Sequence, residues 1–193
     1  MDYQWLFKRI RILLLDSQKG WEEIRYLNEP EPLLRKKLFY PLLILLGISH
    51  FIGVLFAEGE RNFANSLWFT LAHLISIFFG YYIASWSIQR VGISFSSQLS
   101  KERAFQYIAN SMLPFLLITV LINFAPSSLY FLKLLYLYSF YLLWQGSKIL
   151  LEVPEQKQLS FVLIALFILY AGIRISLFVS LELFPVNTIK PGL

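Results

Sequence analysis

The chain has 193 residues, of which 57% are hydrophobic and 15% charged, and its mean hydropathy is +0.59. A soluble chain of this length needs a largely polar surface; here the apolar residues gather into long runs with few charges, which is the membrane pattern. The net charge of +5 does not point to nucleic acid. The basic residues stand mainly in the N-terminal segment and beside the apolar runs, where they suit anionic lipid and set orientation. The absence of cysteine excludes a disulfide framework, a thiolate metal site and a catalytic thiol.

The chain opens on Tyr3–Leu15, which mixes Trp5, Leu6, Ile10, Leu13 and Leu14 with Lys8, Arg9 and Arg11. Its apolar run is short and is followed by Asp16, Ser17 and Gln18 rather than a cleavage site, so a signal peptide is not expected. The mixture predicts an amphipathic helix lying in the membrane interface, or capping the bundle. Trp5, Lys8, Arg9, Arg11 and Trp21 are then the expected membrane-surface contacts. A second short helix is expected around Trp21, Ile24 and Leu27, ended by Glu29-Pro30-Glu31-Pro32. These elements make up a cytoplasmic N-terminal segment, 1–37.

Five transmembrane helices are predicted next, at 38–57, 66–88, 104–124, 128–151 and 159–184. Each is close to the roughly 20 residues that cross ~30 Å of hydrocarbon. The runs are continuous and about twice the ~10 residues of a barrel strand, so strands are not expected. Pro114 should interrupt the third helix. Ala125-Pro126-Ser127-Ser128 should join the third and fourth spans as a hairpin, and Glu152-Val153-Pro154-Glu155-Gln156-Lys157 is a second short turn. The fold class is therefore all-α: a polytopic membrane helix bundle over 38–184 with a short tail, 185–193. Thirteen of the seventeen Lys and Arg fall in the N-terminal segment, the second-to-third loop and the fourth-to-fifth turn. The positive-inside rule then places the N-terminus in the cytoplasm and the C-terminus outside.

Chemistry is sparse. His50 and His73 have no His, Cys or acid at ligand spacing, so each is read as a buried histidine bonded to a carbonyl or another polar group. No Gly-x-Ser-x-Gly, phosphate loop or dinucleotide fingerprint is present; Gly47 and Gly53 read as small residues for close helix contact. Asn110 and Gln145 are expected to form interhelical hydrogen bonds. Arg174 lies well inside the fifth span, Glu182 two turns beyond it, and Lys133 one turn into the fourth. A charge inside hydrocarbon costs at least ~2.5–3.5 kcal/mol on insertion scales, so Arg174 should find a partner among Glu58, Glu60 and Glu182, while Lys133 snorkels. With His50 and His73, the residues Arg174, Glu182, Lys133 and Glu58 form the candidate intramembrane polar cluster.

Several motifs taken together resemble the prokaryotic branch of the YIP family, five-span membrane proteins related to those that interact with Ypt/Rab GTPases. They are Phe7-Lys8-Arg9-Ile10 through Gly20-Trp21-Glu22-Glu23-Ile24, Tyr40-Pro41 at the first span, and Tyr107 through Pro114 in the third. The most distinctive run is 134–141, then Trp144-Gln145-Gly146, then Val153-Pro154-Glu155-Gln156-Lys157. The likeness covers nearly the whole chain and implies fold and topology more than activity. The expected function is a non-enzymatic membrane adaptor or accessory subunit in a bacterial cytoplasmic (inner) membrane. Its partners would be membrane lipids and another membrane protein or itself, with no cofactor, no metal and no nucleic acid. The alternative is a small transporter or channel built around Arg174.

Overall fold

The computed structural model describes residues 3–57, 63–95, 99–124 and 127–184. Helix α1 (Tyr3–Leu15) leads directly into α2 (Ser17–Leu27). The Asp16 carboxylate caps α2 by accepting from the Lys19 N–H at 3.2 Å. Asn28, left-handed at φ 40°, ends the helix by donating its N–H to the Ile24 carbonyl. Helix α3 (Glu31–Phe56) starts on Pro30-Glu31-Pro32, where a missing N–H is harmless. It contains a π-turn at Arg35–Phe39, with the Tyr40 N–H bonded to the Arg35 carbonyl. Helices α4 (Phe63–Gly92) and α5 (Lys101–Ile122) follow. Ser100 caps α5, and the interruption expected from Pro114 falls at Met112, ahead of Leu113-Pro114.

The predicted fourth span, 128–151, takes a different form. A 3-10 helix, Ser127–Tyr136, runs into a thirteen-residue α-helix, α6 (Leu137–Ile149). Among the described residues four helices, α3, α4, α5 and α7 (Glu155–Leu183), are long and apolar enough to cross a membrane. A continuous apolar run specifies a buried or lipid-facing segment without fixing its residues per turn, so α and 3-10 geometry read alike in the sequence. All the regular elements among the described residues are helical.

Contacts at the two ends order the elements. At one end Arg35 meets Tyr82, Lys157 Nζ donates to the Ser94 carbonyl at 3.3 Å, and Arg25 pairs with Glu152 at 2.5 Å. At the other end Phe51 meets Phe63 at 5.2 Å, Trp68 stacks on Phe184 at 5.3 Å, and Gly53 lies against the Asn123 carbonyl. Helices α4 and α7 form the most extensive pairing. Small residues are buried along both helices, Ser76, Gly80 and Ala84 on α4 and Ala165, Gly172 and Ser176 on α7, and Gly80 lies against Gly172 and Ile173. A Cβ on Gly80 would come within 2.5 Å of Ile173 Cγ1 and 3.0 Å of its backbone. Small side chains let backbones approach where lipid tails give helices no hydrophobic reason to associate. Gly47 and Gly53 play the expected part, against Leu74 and Asn123.

Of the four long helices α5 is the most enclosed, and Leu13, Trp21 and Ile24 of α1 and α2 join the same core. Phe39 stacks on Tyr81 at 4.3 Å, and Trp21, Tyr107 and Phe161 form a chain of rings with centroids 6.1 and 5.8 Å apart.

Candidate functional site

The N-terminal segment packs inward more than its composition predicts. Trp5, Leu6, Ile10 and Leu14 lie against the core, and Leu13 is fully buried. Arg9, expected at the headgroups, is buried: its side chain is 2% exposed and its Nη2 lies 2.6 Å from Glu29 Oε2, itself 13% exposed. Its guanidinium also covers the Trp5 ring at 4.8 Å, and Lys37 Nζ stands 5.3 Å from that ring. Trp21, also expected at the membrane surface, is fully enclosed against Gly146 of α6. Both corrections have one cause. The Glu29 carboxylate and the notch at Gly146 are partners on other elements, and the local pattern of α1 and α2 carries no trace of them. Lys8 and Arg11 do remain exposed, with Lys8 paired to Glu23 at 3.2 Å.

Gln106 and Gln158, rather than Asn110 and Gln145, bond to other elements. Gln106 Nε2 donates to the Glu29 carbonyl at 2.6 Å, and Gln158 Nε2 donates to the Trp144 carbonyl at 2.9 Å. Asn110 donates within its own helix to the Gln106 carbonyl, and Gln145 to the Tyr141 hydroxyl one turn away. Tyr107 Oη donates to the Leu143 carbonyl at 2.9 Å, and Tyr138 Oη to the Leu14 carbonyl at 2.9 Å. These bonds tie the N-terminal helices, α5, α6 and α7 together at one end.

Of the candidate intramembrane cluster, the two histidines meet each other. His50 and His73 stack with centroids 4.4 Å apart and planes 10° from parallel, and Phe69 extends the stack on His50 at 5.5 Å. His50 Nδ1 shares a hydrogen bond with Thr70 Oγ1 at 3.1 Å, the kind of polar partner expected for it. The pairing escapes sequence reading because 23 positions separate residues on different helices. Ring nitrogens hold metals with lone pairs in the ring plane, and two nearly parallel stacked rings do not aim those at one ion. Among the described residues no three His, Asp or Glu side chains gather as metal ligands. Arg174, Glu182 and Lys133 are exposed on the outer surface of the bundle. The expected pairing of Arg174 with Glu182 is not made, and Glu58 and Glu60 lie outside the described residues.

A lateral groove of about 520 Å³ opens where the first turns of α3 and α5 meet α4. Glu31, Arg35, Tyr82, Ile83, Trp86 and Lys101 line it over a floor made by Phe105. Arg35 Nε contacts Glu31 Oε1 at 2.8 Å, and its Nη1 donates to the Tyr82 hydroxyl. Lys101 Nζ stands 5.8 Å over the Phe105 ring.

The Yip1 domain matches residues 11–175, most of the chain. The chain belongs to the Yip1 family. Neither the curated proteins nor the solved structures contain a match. The Yip1 match runs from Arg11 in α1 to Ile175 in α7, so α2, the histidine pair, the groove and Arg174 lie within the domain, while Trp5 and Arg9 precede it. Membership makes this an apolar, helical, membrane-associated protein. The groove was not legible in the sequence as a site. Arg35, Tyr82, Trp86 and Lys101 come from three separate runs, and each has an ordinary reading as a span-edge residue.

Proposed function

We propose that this Yip1-family chain is a non-enzymatic membrane adaptor or accessory subunit whose transmembrane helices pack against another membrane protein. The observation that carries the reading is the contrast between its two kinds of surface. Inside, the buried glutamines, tyrosines and Arg9 are engaged in holding the chain's own helices together. Outside, α7 presents a long, largely apolar face, with Leu163, Phe167, Tyr170, Phe178 and Val179 exposed around Arg174. Such a face suits lipid or another helix.

The chain crosses the membrane five times, with the N-terminus cytoplasmic and the C-terminus outside. Asn123 beside Gly53 and Glu152 beside Arg25 support this, because they put the two ends of the 124–152 segment at opposite ends of the bundle. Ten residues of 3-10 helix and thirteen of α-helix cover about 40 Å, enough to cross. The α1 stripe of Tyr3, Phe7, Arg11 and Leu15 is exposed and serves as an interfacial anchor. The resemblance of Trp144-Gln145-Gly146 and Val153-Pro154-Glu155 to the prokaryotic branch of the YIP family implies a bacterial cytoplasmic membrane.

Mild-detergent affinity purification with mass spectrometry tests the adaptor reading, together with crosslinking from a single cysteine at Phe167. A second membrane protein recovered in stoichiometric amount and crosslinked at that position is the expected result. A chain recovered alone, with no crosslink in intact membranes, overturns it.

A further inference from the structure

We propose that the lateral groove between α3, α4 and α5 is a binding site for one anionic phospholipid, its phosphate held by Lys101 and Arg35 and an acyl chain laid along α4. The proposal requires that α4 cross the membrane and is independent of the adaptor reading.

Depth comes first. Trp86 lies 23 residues after Phe63, the start of α4, or roughly 35 Å along the helix at ~1.5 Å per residue. For a hydrocarbon core of ~30 Å this is headgroup level, where tryptophan is favoured. Phe79, Ile83, Trp86 and Arg90 recur at helical spacing and so share one face of α4. The first three are 52%, 41% and 55% exposed, and the Arg90 guanidinium lies 4.8 Å over the Trp86 ring. Along roughly 16 Å the face thus runs from cation to indole to aliphatic to phenyl. A phospholipid has the same order, from phosphate through the ester region to the chain.

Charge then selects among lipids. The Glu31 carboxylate is already matched by Arg35 Nε. Arg35 carries five N–H donors, of which the contacts to Glu31 and Tyr82 engage two. Lys101 is exposed and forms no ion pair among the described residues. The groove therefore has a net positive charge with unused donors, and the Trp86 and Ile83 wall continues into the bilayer. Free phosphate would use the cations and leave the apolar face idle. A zwitterionic lipid would bring its own cation to a positive site.

The test is native mass spectrometry of the full chain, released from mild detergent after mixing with equal amounts of phosphatidylglycerol and phosphatidylcholine of the same acyl composition. The phosphatidylglycerol adduct should dominate. Lys101→Gln should lower it about fivefold, the effect of one cation near an anionic surface. Trp86→Ala should lower both adducts, and Lys148→Gln, at an exposed cation paired with Glu155 outside the groove, should change neither. Helical circular dichroism of the exposed-site variants should match the parent. Brominated-chain phosphatidylglycerol should also quench the Trp86 emission, obtained by subtracting the Trp86→Phe variant, more than brominated phosphatidylcholine does. Equal adducts from the two lipids overturn the proposal, as does a Lys101→Gln variant indistinguishable from Lys148→Gln. Displacement by millimolar inorganic phosphate would assign the cations to the free ion and overturn it too.

Discussion

Removing Arg9 would leave the Glu29 carboxylate largely enclosed beside Gln106, without its ion-pair partner. Burial pulls the Arg9 pKa down and the Glu29 carboxylate opposes it, but a guanidinium stays protonated, so the pair persists as charges. Breaking such a pair from one side costs roughly 3 kcal/mol, while replacing both members by neutral groups of similar volume is close to neutral. Arg9→Ala should therefore lower the melting temperature in detergent clearly, and Arg9→Met with Glu29→Gln should recover most of it. At the exposed Asp16, hydrogen bonds from the Lys19 side chain and then its backbone N–H hold the carboxyl below its usual 3.8. A depressed carboxylate stabilises above the unfolded value and loses that effect as pH falls through the folded one. Capping of α2 should thus weaken below about pH 4. Asp16→Asn keeps the cap without the titration, so subtracting its Trp21 emission profile from the parent's should leave a step in that window. Arg174 lies roughly 28 Å along α7 from Glu155 and is exposed, so its stem can carry the charge toward the outer headgroups. Arg174→Leu should keep stability within about 0.5 kcal/mol by thermal melting. The sequence marked Arg174 by its cost in hydrocarbon, but which way the side chain faces depends on how α7 packs, which α4 decides.

At the scale of elements, the small residues predict where helices resist substitution. A Cβ at Gly146 would sit 2.7 Å from Trp21 Cζ2, against a ring with no room to retreat. Gly146→Ala should cost about 1–3 kcal/mol by overpacking and should loosen α2 from α6. Faster proteolysis after Lys19 or Arg25 in folded protein is the measurement, and an unchanged cleavage rate would count against this docking. The long apolar helices and the small-residue role of Gly47 and Gly53 were legible, because length and side-chain size are local properties. The 3-10 stretch at Ser127–Tyr136 was not, and neither was the inward turn of Trp21. Each depends on what the neighbouring helix offers.

At the scale of the molecule, five passes and four passes differ in parity. With five, Asn65 and Gln156 lie on opposite sides of the membrane; if 124–152 did not cross, they would share one. The absence of native cysteine makes the experiment direct. Single cysteines at the two positions should label from opposite sides with an impermeant maleimide, and labelling from the same side would remove the five-span reading. Four of the five predicted apolar segments were legible as long helices because the bilayer imposes length and hydropathy on the chain one segment at a time. The π-turn at Arg35–Phe39 has a consequence for how the cap meets the bundle. It inserts one extra residue into an otherwise α-helical α3, so Glu31 to Arg35 is rotated about 100° from where an unbroken helix would put it. That rotation aims Arg35 at Tyr82 while Leu46 and His50 keep their own faces. The turn works as a fixed gear offset between two stretches of one rod: deleting the exposed Lys36 would mesh them as a plain helix and swing the whole N-terminal cap out of phase with the groove it borders.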